Sequence, residues 1–133
     1  MRLSILAGLL SLVGCVPTAF DATLTDHSDA LTTSGGDKLF EVEVSSADAD
    51  VDVADVQLTS QPIGGTMTVL NLALTVDSNG DGAVGQGDKL TGIEPGLDLL
   101  NPGNGGQTFN VRLSEKTGTN TVSVHWEGSW GAQ

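Results

Sequence analysis

The sequence predicts an all-β fold, a small antiparallel immunoglobulin-like β-sandwich of about six or seven strands. Three observations carry this expectation. Apolar residues recur at every second position in short runs, and turn formers such as Pro62-Ile63-Gly64-Gly65, Pro95-Gly96 and Lys116-Thr117-Gly118 separate the runs. Beyond the N-terminal segment, no window of ten or more residues keeps a helical period. A chain of 133 residues fits one such domain, placed at 38–133. The Cys…Trp…Cys signature of antibody-type domains is absent, because the chain has a single cysteine.

The first residues read as an address. One base, Arg2, precedes an apolar run from Leu3 to Val13. As a helix that run would rise only about 16 Å, roughly half the hydrocarbon core of a bilayer, so it is too short for a stable span. Residues 1–14 therefore have the layout of a secretory signal peptide. The end of the run, Leu12-Val13-Gly14-Cys15, resembles the lipobox of bacterial lipoproteins. The resemblance implies diacylation of the Cys15 thiol, cleavage just before it, and a mature chain anchored to the cell envelope by lipid. Two or three acyl chains hold a protein stably at a membrane without a basic patch. Val16 follows the cysteine where lipoproteins kept at the inner membrane often carry Asp, so the resemblance favours the outer membrane in a cell that has one.

From Cys15 to Asp37 the chain is rich in Ser and Thr, includes Pro17 and Gly35-Gly36, and carries only isolated apolar residues (Phe20, Leu24, Leu31). This reads as the lipidated N-terminus and a flexible tether, with a first strand through Leu24 or Leu31 as the alternative. Period-2 alternation then begins. Phe40, Val42 and Val44 point one way, opposite Glu41, Glu43 and Ser45. Val51 and Val53, then Val56 and Leu58, alternate with acids and slip by one position between Val53 and Val56, which predicts a bulge. Leu70, Leu72, Leu74 and Val76 form the strongest inward row, and Leu90 and Ile93 mark a short strand. Phe109, Val111 and Leu113 point inward on the next strand, and Val122, Val124 and Trp126 on the last.

One motif carries chemistry. Residues 77–88 read Asp-Ser-Asn-Gly-Asp-Gly-Ala-Val-Gly-Gln-Gly-Asp. On the template of a twelve-residue calcium loop, Asp77, Asn79 and Asp81 stand at positions 1, 3 and 5, and Asp88 at position 12. Gly82 permits the sharp turn at position 6, and Ala83 offers its backbone carbonyl at position 7. Gly85, at position 9, has no side chain, so water is expected there. Calcium takes six to eight hard oxygens, which short carboxyl and amide side chains at alternate positions supply. Turn propensity alone accounts for Asn79-Gly80 and Asp81-Gly82, but not for oxygen donors at all four positions together. The segment resembles the EF-hand-like calcium loop of dockerins, whose twelfth residue is also Asp. It is similar as well to calcium segments of bacterial surface β-sandwich modules. The second comparison fits better, because the two glycines and proline within Lys89–Gly96 cannot form a long exiting helix. Calcium at Asp77, Asn79, Asp81, Ala83 and Asp88 is therefore the expected cofactor, and it would clamp a connection between strands.

Charge excludes other classes. Seventeen acids stand against five bases, for a net charge of −12, the opposite of the Lys/Arg excess that nucleic-acid binders need. Asp48, Asp50, Asp52 and Asp55 form a dense acidic stretch, read as a solvated strand face or a charged edge, with a second cation site as the alternative. His125 is expected to point outward. No Gly-x-Ser-x-Gly elbow, HExxH or CxxC pattern is present, so the chain is not expected to be an enzyme. The expected role is structural or adhesive, outside the cytoplasm, toward a protein or glycan partner. The alternatives are an accessory subunit of an envelope complex, or a carbohydrate-binding module using Trp130 as a stacking platform while Trp126 fills the core.

Overall fold

Alternating Phe40, Val42 and Val44 become a strand because one face of the run finds a dry neighbour while the acidic face stays in water. All three side chains are buried. In the computed structural model, which describes residues 20–96 and 107–132, they lie on β2. The elements are β1 (Phe20–Asp26), β2 (Lys38–Ala47), β3 (Val51–Asp52), a 3-10 turn (Val53–Asp55) and β4 (Val56–Pro62). Then follow β5 (Thr68–Val76), β6 (Ala83–Val84), β7 (Lys89–Ile93), β8 (Thr108–Lys116) and β9 (Val122–Gly131). The all-β expectation holds: every pairing is antiparallel, and the described residues contain no α-helix.

Seven strands form one sheet in the order β1-β2-β7-β5-β4-β8-β9, while β3 and β6 pair separately. The strand β5 divides the sheet into two layers. Thr68, Val69 and Leu70 pair with β4, and the segment from Asn71 to Val76 pairs with β7. The sheet also curls until its two ends meet, which makes it barrel-like. The Phe20 ring of β1 stacks on His125 of β9 at 4.9 Å, and Trp130 Nε1 donates to Asp26 Oδ1 at 2.8 Å. Trp130 packs between Phe40 (5.2 Å) and Phe109 (5.4 Å) and fills the interior with Leu58, Leu90, Val111 and Leu113.

Several expectations need correction. The segment 15–37 is not a tether throughout. The sequence Phe20–Asp26 forms β1 and pairs with β2 along its whole length, with Phe20 buried and Leu24 half-buried against the core. Its alternation is hidden because Ala22 and the threonines are weak markers, and the sheet supplies the backbone partners. The domain therefore starts by Phe20, before the expected boundary at 38. Signal peptide, lipobox and Cys15 fall outside the described residues.

Between Val53 and Val56 the chain makes a 3-10 turn rather than a bulge. Its N-cap, Asp52, accepts from Ala54 N at 2.9 Å. The acidic stretch is correspondingly not one strand face, since only Val51–Asp52 is extended. On β5, Leu70 alone is fully buried, and Val76 is 42% exposed. The phase of β9 is inverted before a bulge. Leu113 pairs with Trp126 and Ser114 with Val124, which leaves His125 as the extra residue. His125 turns inward and is buried, while Val122 and Val124 face out. Its Nε2 lies 2.9 Å from Glu115 Oε1.

The connection between β1 and β2 is closed by Asp37. Thr32 donates from both its backbone N and its Oγ1 to the Asp37 carboxylate, each at 2.7 Å, and Glu94 N donates to Asp37 O at 2.9 Å. The Thr32 backbone N–H chiefly holds the Asp37 carboxyl below its usual range; partial loss of solvent opposes this, and the Thr32 hydroxyl and Glu94 add to it. A depressed carboxyl stabilises the fold above its unfolded pKa of about 3.9, and the contribution is lost as pH falls through the folded value. The acid limb of a stability–pH curve below about pH 4 is therefore expected to be shallower in Asp37→Asn than in the parent. A second expectation concerns packing. A Cβ on Gly92 would lie 2.7 Å from the Phe40 ring and 3.2 Å from Leu58 Cδ2. Gly92→Ala should cost about 1–3 kcal/mol in urea denaturation through overpacking.

Candidate functional site

The loop 77–88 joins β5 to β7, and its geometry follows from its short polar residues and glycines. Asp77 holds the first half. Gly80 N donates to its Oδ1 at 3.1 Å and Gly82 N to its Oδ2 at 2.8 Å. Gly80 (φ +70°) and Gly82 (φ +71°) take the left-handed backbone that these tight turns require. Asp88 holds the second half. It is 2% exposed; Ser78 N (2.7 Å) and Ser78 Oγ (2.8 Å) donate to its Oδ1, and Gly85 N (2.9 Å) donates to its Oδ2. The two ends of the loop are thus tied by one buried carboxylate. Backbone bonds from Val44 N to Asp88 O (2.9 Å) and from Gly87 N to Val44 O (2.8 Å) moor the loop's base to β2.

The middle of the loop is pinned from the other side. Ala83 and Val84 form β6, paired with Asp52 and Val51 of β3, and Val53 N donates to Gly82 O at 3.1 Å. That bond makes Asp52 and Ala83 a non-hydrogen-bonded pair, so the Ala83 N–H and carbonyl point away from β3. The N–H reaches Asp81 Oδ1 at 3.0 Å. The carbonyl expected at position 7 therefore lies on the Asp81 side.

The expected ligands are partly gathered. Asn79 and Asp81 stand on the exposed rim together with Asp50, while Asp77 and Asp88 engage loop amides. Among the described residues, no group of three or more His, Cys, Asp or Glu side chains forms a ready-made metal cage. The three expected carboxylate donors, Asp77, Asp81 and Asp88, are thus not gathered into one such group, and the other two expected donors are the Asn79 amide and the Ala83 backbone carbonyl. All five are hard oxygens of the kind calcium takes.

Asp50 is the residue that sequence reasoning placed elsewhere. It comes from the connection between β2 and β3 and meets the side chains of Asp81 and Asn79. Loss of solvent against the loop is the main cause that pushes its carboxyl above the usual range. The touching Asp81 carboxyl and the charge of Asp88 add to this, and the Asn79 amide opposes it. Asp81 moves the other way, held low chiefly by the Ala83 N–H, with help from Asp50 and Asn79 against partial desolvation. No Lys or Arg among the described residues forms an ion pair with Asp50, Asp77, Asp81 or Asp88.

Trp130 is 3% exposed, and its indole N–H is engaged by Asp26, so no open stacking platform exists there. Among the described residues, no helix is long and apolar enough to cross a membrane. No known protein family, curated protein or solved structure matches this chain.

Removing the Asp88 carboxylate strands the buried Gly85 N–H and takes the acceptor from two part-buried Ser78 donors, whatever the loop binds. An unsatisfied buried donor costs about 1–3 kcal/mol, so Asp88→Ala should lose roughly 3 kcal/mol in urea titrations run in excess chelator. Asp88→Asn, which keeps one acceptor, should lose less.

Proposed function

We propose that this protein is a bacterial envelope lipoprotein, held at the membrane by lipid on Cys15, whose extracytoplasmic β-domain is stabilised by calcium. Its role in this reading is structural or adhesive rather than catalytic. The observation that carries the calcium part is the loop itself. Oxygen donors recur at positions 1, 3, 5, 7 and 12 of 77–88, on a backbone whose glycines at positions 4, 6 and 11 hold positive φ. Asp77, Asn79, Asp81, the Ala83 carbonyl and Asp88 are the residues that would hold the ion. Among the described residues no Lys or Arg forms an ion pair with these carboxylates, and calcium would supply the opposing charge.

The loop's position makes the consequence structural. Its ends continue into β5 and β7, its middle pairs with β3, and its base is bonded to β2. Ordering it therefore orders four strands, β2, β3, β5 and β7. An ion present at about 100 times its dissociation constant contributes roughly 2.7 kcal/mol, a large fraction of the 5–15 kcal/mol typical of a folded domain.

Two measurements test the reading. Thermal melting in millimolar calcium should give a midpoint several degrees above that in chelator, and equal midpoints would overturn the calcium part. Expressed in a bacterium fed labelled palmitate, the chain should take up label, and Cys15→Ser should take up none. Equal labelling of the two would overturn the anchor.

A further inference from the structure

We propose that the end of the barrel where β4 stops and β5 and β8 begin is a binding pocket for a small neutral ring compound bearing a hydroxyl group, which Ser60 recognises. The inference stands apart from the calcium reading.

Register places Ser60 in the interior. It shares the inward parity of Val56 and Leu58 on β4 and lies between Thr68 of β5 and Val111 of β8. The rest of that row, Val56, Leu58 and Pro62, is apolar. Ser60 is 3% exposed, and no group among the described residues hydrogen-bonds its hydroxyl. A buried hydroxyl without a protein partner costs free energy unless a molecule entering from outside bonds it.

A pocket of about 260 Å³ opens at this place, lined by Ser60, Pro62, Thr66, Thr68, Gln107 and Phe109. Its walls are fixed in advance. Trp130 packs against the Phe109 ring at 5.4 Å, and Gly65 N donates to Pro62 O at 2.8 Å, which closes the turn against the Pro62 ring. Ligand sites at the mouths of β-barrels are preformed in this way.

The lining sets the chemistry of the ligand. None of these side chains is charged, in a chain with seventeen acids, so a neutral molecule fits best. Phe109 and Pro62 offer apolar surface to one side of a ring. The hydroxyls of Ser60, Thr66 and Thr68 and the Gln107 amide offer hydrogen bonds to the other. A serine hydroxyl both donates and accepts, so it pairs with a ligand hydroxyl in either sense. The volume suits a single ring rather than a drug-sized molecule.

Titration of the nitrogen-15-labelled chain with phenol, benzene and methyl glucoside, followed by backbone amide resonances, tests this. Phenol or the glucoside should shift the amides of Ser60, Thr68 and Phe109 saturably, and the tighter of the two tells whether the ring is aromatic or a sugar. Benzene, which lacks the hydroxyl, should bind about tenfold more weakly than the tighter one. Ser60→Ala should erase that advantage, while the exposed variant Thr25→Ala should bind as the parent does. No saturable shift at these amides with either hydroxyl probe, or equal binding of benzene, would overturn the inference. So would parental affinity in Ser60→Ala. Melting without ligand gives an independent check: Ser60→Ala should not melt below the parent, because no bond within the fold is lost. A midpoint several degrees lower, or failure to fold, would mean that the fold already satisfies the hydroxyl, and the inference falls.

Discussion

The carboxylate of Asp88 is the constraint on which the arrangement of this domain depends. Asp88 is buried, and three donors converge on it, two from the exposed Ser78 and one from the buried Gly85 N–H. A buried carboxylate without such donors would carry a desolvation cost of several kcal/mol. With them, it fixes the distance between the start and the end of the loop. That distance sets how β5 enters and how β7 leaves. The adjoining backbone bonds to Val44 carry the same constraint into β2. A polar loop between strands is thereby as firmly located as the apolar interior beneath it.

Around this fixed point the molecule gathers like charge. Asp77 and Asp81 are bound to loop amides, and Asp50 is laid against Asp81 from another part of the chain. Amide donors offset part of the repulsion, as the depressed Asp81 carboxyl shows, but Asp50 is shifted against ionisation. The pairing of β3 with β6 holds the acids together regardless. Its only two residue pairs, Val51 with Val84 and Asp52 with Ala83, sit between the acidic stretch and the loop. The buried side chains of Val51 and Val84 supply apolar contact on the side opposite the charges. Hydrophobic burial is thus set against charge repulsion within a few residues.

Much of this was legible in the sequence, for reasons that particular residues show. Phe40, Val42 and Val44, and likewise Phe109, Val111 and Leu113, alternate without interruption on strands with neighbours on both sides, so pattern and burial agree. The connection between β5 and β7 was legible as a set of tight turns because its Asp, Asn and Gly residues are local, and Gly80, Gly82 and Gly87 take the positive φ such turns need. The last strand was misread because a single extra residue, His125, reverses which face points inward, and nothing in Val122-Ser123-Val124-His125-Trp126 marks where parity changes. The first strand was misread because Phe-Asp-Ala-Thr-Leu-Thr-Asp carries only two strong apolar residues, Phe20 and Leu24, separated by Ala22 and a threonine; its membership is decided by β2 and by the ring of His125 from β9. Asp50 was legible as an acid but not as a neighbour of the loop, since that contact exists only once β3 and β6 have paired.

The strand order has a consequence for how such a chain comes into being. Read across the sheet, the strands of the N-terminal half, β1-β2 and β4, are interleaved with the pairs β7-β5 and β8-β9 from the C-terminal half. A ribosome or a translocation pore that has released only the first sixty-odd residues has released no run of more than two adjacent strands, and isolated hairpins are marginal in water. The sheet cannot be completed until its last strands emerge, and sequence-distant pairings of this kind assemble slowly.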